Sequence, residues 1–238
     1  MKKKNNLFII IISILSVCLI TVSSLYIHTL SNKKESEITY YDMKCHGYEV
    51  NNHNLLKDQI VFIGDSITDL CQLDLYYDDL KLKSYNRGIG GDTTDGVLKR
   101  LKVSLYDISP SIVVLMIGTN DIIGNKDNTE ILNNYKKIIK DINETLVNSK
   151  LICMSIIPSN YDINEYSNVD VINHNNNVIY INNEINKLTS TYNFTYVDIY
   201  SLLIDNNKVL KKECSDDGLH LNHNGFIIWS NAIKHLLK

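Results

Sequence analysis

Four apolar runs alternate with segments in which apolar residues recur every three or four positions. The runs have strand length and many β-branched residues, and they cover Ile60–Ile63, Ile112–Ile117, Leu151–Ile157 and Phe194–Ile199. The segments between them predict helices. Their apolar stripes are Val97, Leu98, Leu101 and Leu105; Ile131, Tyr135, Ile138, Ile142 and Leu146; and Val178, Ile181, Ile185 and Leu188, with a last helix predicted from about Gly225 to Leu237. This alternation predicts an α/β domain whose mostly parallel sheet is covered by helices on both faces.

A separate apolar run precedes this domain. Leu7–Ile27 carries no charge and matches the roughly 20 residues that cross a bilayer. The lysines at positions 2–4 favour a cytoplasmic N-terminus and an extracytoplasmic domain at the cell membrane. A cleaved signal peptide, and hence a secreted domain, is the alternative. The predicted divisions are a cytoplasmic N-terminus at 1–6, one transmembrane helix at 7–28, a linker at 29–54 and the folded domain at 55–238.

The charge of the chain excludes one class of partner. The formal net charge is -3, from 24 Lys and Arg against 27 Asp and Glu, and the basic residues are scattered. A nucleic-acid-binding domain needs a basic patch or stripe, so we expect no nucleic-acid partner. The predicted membrane contact is the N-terminal helix alone.

Four polar segments are expected to carry the chemistry. Each follows an apolar run or precedes the last helix, and in parallel sheets such segments meet at the carboxyl ends of the strands. They are "GDSIT" at Gly64–Thr68, "NRGIGGDTTDG" at Asn86–Gly96, "GTND" at Gly118–Asp121 and "DDGLHLN" at Asp216–Asn222.

These segments contain the groups that acyl transfer requires. Ser66 offers a hydroxyl nucleophile, and His220 offers a base suited to neutral pH. Asp217 stands three residues before His220, a spacing at which its carboxylate can orient the imidazole. The backbone N–H groups of Ser66 and Gly91 and the side-chain amide of Asn120 are candidate donors to an oxyanion. Asp65, Asp92 and Asp121 are interpreted as structural hydrogen-bonding groups of the loops.

The four blocks resemble those of the SGNH, or GDSL-type, hydrolase family of esterases and lipases. From about residue 60 to the C-terminus, Gly64–Ser66 matches its GDS block, Gly91 its second-block glycine, Gly118–Asp121 its GxND block and Asp217–His220 its DxxH block. The stretch from Asn86 to Leu101 also resembles the subgroup similar to the platelet-activating-factor acetylhydrolase catalytic subunits and bacterial esterases.

The resemblance implies a fold and a set of roles. It implies a flavodoxin-like three-layer α/β/α sandwich and an ester hydrolase that needs no metal or organic cofactor. It also implies catalytic Ser66, Asp217 and His220, with Ser66, Gly91 and Asn120 as the oxyanion hole. The substrates we expect are small-molecule, glycan or lipid esters, namely O-acetyl groups on cell-surface carbohydrate or acyl esters of lysolipids.

Two further interpretations are weighed against this one. Asp217, His220 and His223 could be metal ligands, but no second cluster completes a tetrahedral site. A surface-anchored domain of this fold could also bind glycan or protein with a decayed site, although the complete set of site residues favours an enzyme. The segment Asp69–Leu80 lacks the tryptophan common in the subgroup, which leaves the substrate preference open.

Overall fold

Five parallel strands form one sheet in the computed structural model, which describes residues 15–25, 38–160 and 170–238. The strands are β1 (Ile60–Gly64), β2 (Ser84–Gly88), β3 (Ile112–Met116), β4 (Lys150–Met154) and β5 (Thr195–Val197). Their order across the sheet is β2-β1-β3-β4-β5, and all four pairings are parallel. This is the flavodoxin-like order, in which the chain reverses its direction of travel between β1 and β3.

Helices connect the strands and surround the sheet. They are α1 (Tyr40–Asn52), α2 (Ser66–Leu70), α3 (Leu73–Tyr77), α4 (Thr94–Leu101), α5 (Thr119–Ile123), α6 (Asn128–Thr145), α7 (Val171–Thr191), α8 (Tyr200–Leu203) and α9 (His223–Ile233). A π-helical turn at Lys102–Tyr106 extends α4. The helices predicted from the apolar stripes correspond to α4, α6, α7 and α9.

Two apolar cores lie on opposite faces of the sheet. Successive residues of a strand point to opposite faces, so Val61 and Ile63 enter one core while Ile60 and Phe62 enter the other. The first core contains the buried faces of α4, α6 and α7. The second contains residues of α3 and α9, including Trp229. The predicted α/β fold with a parallel sheet covered on both faces is confirmed.

The pattern of apolar residues missed one strand. β2 has the sequence "SYNRG", which contains no apolar run, and three of its five residues are only partly buried. It lies at the edge of the sheet and pairs with β1 from Ile60↔Ser84 to Gly64↔Gly88. An edge strand needs less apolar surface than a central one, so the hydrophobic pattern gave no signal here.

The predicted linker at 29–54 is wrong for its second part. Residues 40–52 form α1, in which Tyr48 is buried and its hydroxyl donates to the carbonyl oxygen of Gly88. The hydroxyl of Tyr41 donates to the carbonyl oxygen of Gly96 at 2.8 Å. The compact unit that contains the sheet therefore begins at Tyr41 rather than at residue 55.

Residues 15–25, near the N-terminus, are helical. None of the described helices has both the length and the apolar character that crossing a bilayer requires. About half of the predicted membrane span at Leu7–Ile27, together with the cytoplasmic segment at 1–6, lies outside the described residues. The transmembrane helix therefore stays a prediction.

Candidate active site

Ser66 lies where β1 ends, beside the point at which the strand order reverses. The preceding Asp65 caps α2, because its Oδ1 accepts a hydrogen bond from the Ile67 amide at 3.0 Å. Gly64 permits the close approach of β1 to β3, since a Cβ there would lie 2.2 Å from the Met116 carbonyl oxygen. The serine thus begins a short helix on a rigid support. Asp65 caps this helix, while Ser66 stays partly exposed.

Ser66, His220 and Asp217 form a chain of hydrogen-bonded side chains. The Ser66 Oγ lies 2.9 Å from His220 Nε2, and His220 Nδ1 lies 2.6 Å from Asp217 Oδ2. A carboxylate on Nδ1 favours the tautomer that carries its hydrogen there, which leaves Nε2 free to accept the serine proton. The structure therefore brings together the three side chains that the sequence nominated.

The loop around Gly218 holds the Asp217 carboxylate in place. Oδ1 accepts hydrogen bonds from the amides of Leu219 at 2.8 Å and His220 at 2.7 Å, and Gly218 adopts a φ of 79°. Burial raises the pKa of Asp217, but hydrogen bonds from the His220 ring and these amides outweigh burial and hold the pKa below its usual value. The carboxylate is therefore ionised when it faces the imidazole at neutral pH.

Asp216 does not contact the imidazole. Its Oδ1 accepts a hydrogen bond from Asn222 Nδ2 at 3.1 Å, and Asn222 in turn caps α9. Adjacent residues project in different directions, so one aspartate faces His220 and the other stabilises the loop.

Gly91 lies in the loop that follows β2, and Asn120 lies in the first turn of α5, which follows β3. Gly91 is exposed with a φ of 76°, a conformation that favours glycine. Among the described residues, no hydrogen-bond acceptor engages its amide. The side-chain amide of Asn120 donates one hydrogen to the Asp92 carbonyl oxygen at 2.8 Å, which leaves its second hydrogen for another acceptor.

Two buried aspartates anchor these two segments. Asp121 accepts hydrogen bonds from the amide and hydroxyl of Thr94 at 2.8 and 2.7 Å, and it pairs with Lys126 at 3.0 Å. Asp92 pairs with the buried Arg100, whose Nε lies 2.7 Å from its Oδ2. Burial raises the pKa of Asp92, although the guanidinium opposes this shift.

Sequence reasoning nominated the two aspartates as structural groups but missed Arg100. A signal was present: Arg100 stands three residues after Val97 and directly before Leu101, within the apolar stripe of α4. A charged residue on the buried side of a helix requires partners, because an unpaired buried charge is very costly.

Asp65 has the most perturbed carboxyl near the serine. Its side chain is almost fully buried, and burial raises its pKa to about 7, with the nearby Asp92 adding to the shift. The Ile67 amide and His220 act in the opposite direction. Asp65 therefore titrates near neutral pH, directly beside the candidate nucleophile.

His223, the third residue of the alternative metal set, has a different neighbour. Its Nδ1 lies 3.1 Å from the Tyr76 hydroxyl, and the two rings are 5.9 Å apart. Within the described ranges, no group of three or more His, Cys, Asp or Glu residues is arranged to hold a metal ion. His223 thus joins α9 to α3 and does not form a cluster with Asp217 and His220.

Comparison with known proteins places this arrangement in one family. The sequence profile of the GDSL-like lipase/acylhydrolase family matches residues 62–226. Platelet-activating factor acetylhydrolase IB subunit alpha2 of Rattus norvegicus is 36% identical over 104 residues, which are 42% of this chain and 44% of that protein. The match thus spans less than half the length of that relative.

Solved structures share the fold over most of the chain. A Streptococcus pneumonia protein described as a candidate platelet activating factor is 29% identical with a TM-score of 0.78, covering 90% of this chain and 99% of that one. An acetylxylan esterase from Geobacillus stearothermophilus is 18% identical with a TM-score of 0.59, covering 77% of this chain and 95% of that one. At that identity the second likeness shows the fold alone.

Proposed function

Because this chain belongs to the GDSL-like lipase/acylhydrolase family, we propose that it is a serine esterase that hydrolyses carboxylic esters through an acyl-enzyme on Ser66. The observation that carries the proposal is the hydrogen-bonded chain from Ser66 Oγ through His220 to Asp217, at 2.9 and 2.6 Å. A nucleophile, a base and a group that orients the base are the parts of a serine hydrolase.

The first half of the reaction transfers the acyl group to the enzyme. His220 Nε2 takes the Ser66 proton as Oγ forms a bond to the ester carbonyl carbon. Asp217 stabilises the imidazolium that results, and the tetrahedral oxyanion accepts hydrogen bonds from the Ser66 and Gly91 amides and the Asn120 side chain. The C–O bond to the alcohol then breaks, and His220 returns its proton to the departing alcohol oxygen.

The second half releases the acid. A water molecule gives a proton to His220 Nε2 as its oxygen bonds to the acyl carbon, and the same donors hold the second oxyanion. The bond to Ser66 Oγ breaks, Oγ regains the proton, and the carboxylic acid leaves. Every proton moves through His220, so the loss of its orienting carboxylate slows both halves.

The proposed acyl group is short, and the proposed alcohol is a cell-surface carbohydrate or a lysolipid. The relative named as an acetylhydrolase supports acetyl as the acyl group. A groove of about 290 Å³ is lined by residues that include Leu70 at the end of α2, Leu75, Tyr76 and Leu221, which follows His220, together with the polar Gln72, Asn222 and His223. A groove of this size and character suits a small apolar part of the ester.

We further propose that the enzyme acts at the outer face of a cell membrane, anchored by its N-terminus. The support is the charge-free run Leu7–Ile27 and the lysines that precede it. Protease added to intact cells should digest the domain. Protection until the membrane is breached would reverse the topology, and a mature chain that begins after residue 28 would indicate a cleaved signal peptide.

A panel of p-nitrophenyl esters from acetate to palmitate tests the activity on the full chain. We expect turnover that is greatest on acetate in the wild type and absent in Ser66→Ala, with both proteins equally stable. Hydrolysis that persists in Ser66→Ala would refute the mechanism. A folded wild type that hydrolyses no member of the panel, but retains a glycan or protein ligand, would instead indicate a binding domain with a decayed site.

A further inference from the structure

One buried side chain contacts residues that lie close in the chain to two of the proposed oxyanion donors, Ser66 and Gly91. Arg100 of α4 is 1% exposed, and its guanidinium makes four hydrogen bonds. It donates to the carbonyl oxygens of Gly64 at 2.9 Å and Arg87 at 2.7 Å, to Asp92 Oδ2 at 2.7 Å and to Ser104 Oγ at 2.9 Å.

Three of these acceptors lie close in the chain to a proposed oxyanion donor or are hydrogen-bonded to one. Gly64 ends β1, two residues before Ser66, and Arg87 lies in β2, four residues before Gly91. Asp92 follows Gly91, and its carbonyl oxygen accepts the side-chain amide of Asn120 at 2.8 Å. From these contacts we infer that Arg100 is a positioning residue that sets the geometry of all three oxyanion donors, an inference that rests on the proposed esterase function.

The chemistry of the guanidinium explains why this position takes an arginine. Its planar fork presents five donors in fixed directions, so one group satisfies acceptors from two strands and a loop at once. A buried lysine carries the same charge but offers a single compact ammonium, which cannot span these acceptors. The carboxylate of Asp92 neutralises the buried charge at a side-chain exposure of 2%.

Further contacts immobilise Asp92 and make the link rigid. Its Oδ1 accepts the Thr93 amide at 2.8 Å while Arg100 holds its Oδ2, so both oxygens are fixed. Gly96 packs against the same carboxylate, since a Cβ there would lie 1.7 Å from Oδ1. A displacement of the guanidinium is thus transmitted to the Asp92 backbone, and from there to Gly91 and Asn120.

A double-mutant cycle separates positioning from a merely structural role. The kcat and KM for p-nitrophenyl acetate are measured for the full chain as wild type, Arg100→Lys, Asn120→Ala and the double variant, at a temperature where each is folded. We expect Arg100→Lys to lower kcat about tenfold and Asn120→Ala about a hundredfold, the cost of one lost oxyanion donor. KM should stay within about threefold because the side chain of Arg100 is almost fully buried.

The coupling between the two substitutions decides the inference. Part of the effect of Arg100→Lys comes from displacement of the Asn120 amide, and this part is lost when Asn120 is replaced by alanine. In the Asn120→Ala background, Arg100→Lys should therefore lower kcat by only about threefold. An equal effect of Arg100→Lys in both backgrounds, or a lowered melting temperature with unchanged kcat, would overturn the inference. A folded wild type without esterase activity would instead refute the proposed function itself. Failure of the proposed function is therefore distinguishable from failure of the inference about Arg100.

Ser104→Ala is the matched control, because Ser104 contacts the same guanidinium but leads to no oxyanion donor. Its kcat should stay within about twofold of the wild type. Should Arg100→Lys fail to fold, Asp92→Asn takes its place in the cycle, since it weakens the contact to Arg100 and keeps the carbonyl oxygen that holds Asn120. The same tenfold loss and the same coupling are expected, and additivity would again contradict the inference.

Discussion

The two sides of the candidate site are built in different ways. On one side, Asp217 and His220 lie in a single loop, and their side chains are 34% and 31% exposed. On the other, Asp92 and Arg100 are 2% and 1% exposed, and the side-chain amide of Asn120 in α5 donates to the Asp92 carbonyl oxygen. The first side is local in sequence and reached by solvent, whereas the second joins three strand ends in the interior.

This difference indicates how each side should respond to substitution. A half-exposed side chain that loses a partner finds water, so the fold survives and the chemistry suffers. A buried side chain that loses a partner leaves a polar group without a hydrogen bond, so the free energy of unfolding falls as well. Substitutions on the His220 side should therefore lower activity alone, while substitutions of the buried residues on the oxyanion side should lower stability as well.

The largest effect on stability is expected for Asp121→Ala. It leaves the buried Thr94 amide without its acceptor and removes one of the two carboxylates around Lys126. We expect the free energy of unfolding to fall by about 2 to 3 kcal/mol, as for a buried donor left unsatisfied. Urea denaturation checks this value, and a loss below about 1 kcal/mol would remove the contrast between the two sides.

Asp217→Asn should act on turnover instead. The loss of the carboxylate that orients His220 should lower kcat at least tenfold, or by roughly 1.4 kcal/mol of barrier. Asp216→Asn is the matched control and should stay within about twofold, because Asp216 faces Asn222. The kcat of both variants on one ester decides the assignment, and a greater loss in Asp216→Asn would reverse it.

Asp65 lies between the two sides, and its effect should depend on pH. Its pKa is raised from 3.8 to about 7 by burial, so the folded protein binds the proton more tightly than the unfolded chain. The free energy of unfolding should therefore fall as pH rises from about 4 to 7. Above pH 7 the full cost of burying the ionised carboxylate should be present.

Asp65→Asn removes this titration and keeps a residue that caps helices equally well. Relative to the wild type, the variant should gain more than about 1 kcal/mol of stability between pH 5 and pH 8, since one pKa unit corresponds to about 1.4 kcal/mol. Thermal unfolding at the two pH values measures the gain. If the variant and the wild type differ in stability by the same amount at both pH values, Asp65 is ionised throughout this range.

The smallest effect is expected for Tyr48→Phe in α1. The variant loses the hydrogen bond to the Gly88 carbonyl oxygen but keeps the ring that packs against Arg87. The free energy of unfolding should fall by about 1 kcal/mol. Tyr180→Phe, on an exposed tyrosine, should change it by less than about 0.5 kcal/mol. Equal values for the two variants would mean that the hydrogen bond from Tyr48 to Gly88 adds nothing to the stability of the fold.

Hydrophobic periodicity predicted the central strands and the long helices, because buried strands and amphipathic helices repeat their apolar residues at fixed intervals. It failed at β2 and α1. β2 lies at an edge where polar residues suffice, and the residues of α1 are mostly polar, with few apolar side chains in the core. Both elements are held by pairing and hydrogen bonds to distant residues, which leave no periodic signal.

The sequence by itself determined the chemistry of the site: Ser66, Gly91, Asn120, Asp217 and His220 stand in short motifs whose residue types and spacing are local properties. Tertiary structure decided which groups meet. Ser66 and His220 are 154 residues apart in the chain, and Arg100 reaches Gly64 across 36. Such contacts depend on the order of strands in the sheet and on the depth of burial, and burial also sets the raised pKa of Asp65. No spacing in the sequence encodes these quantities, because they arise only when distant segments exclude water together.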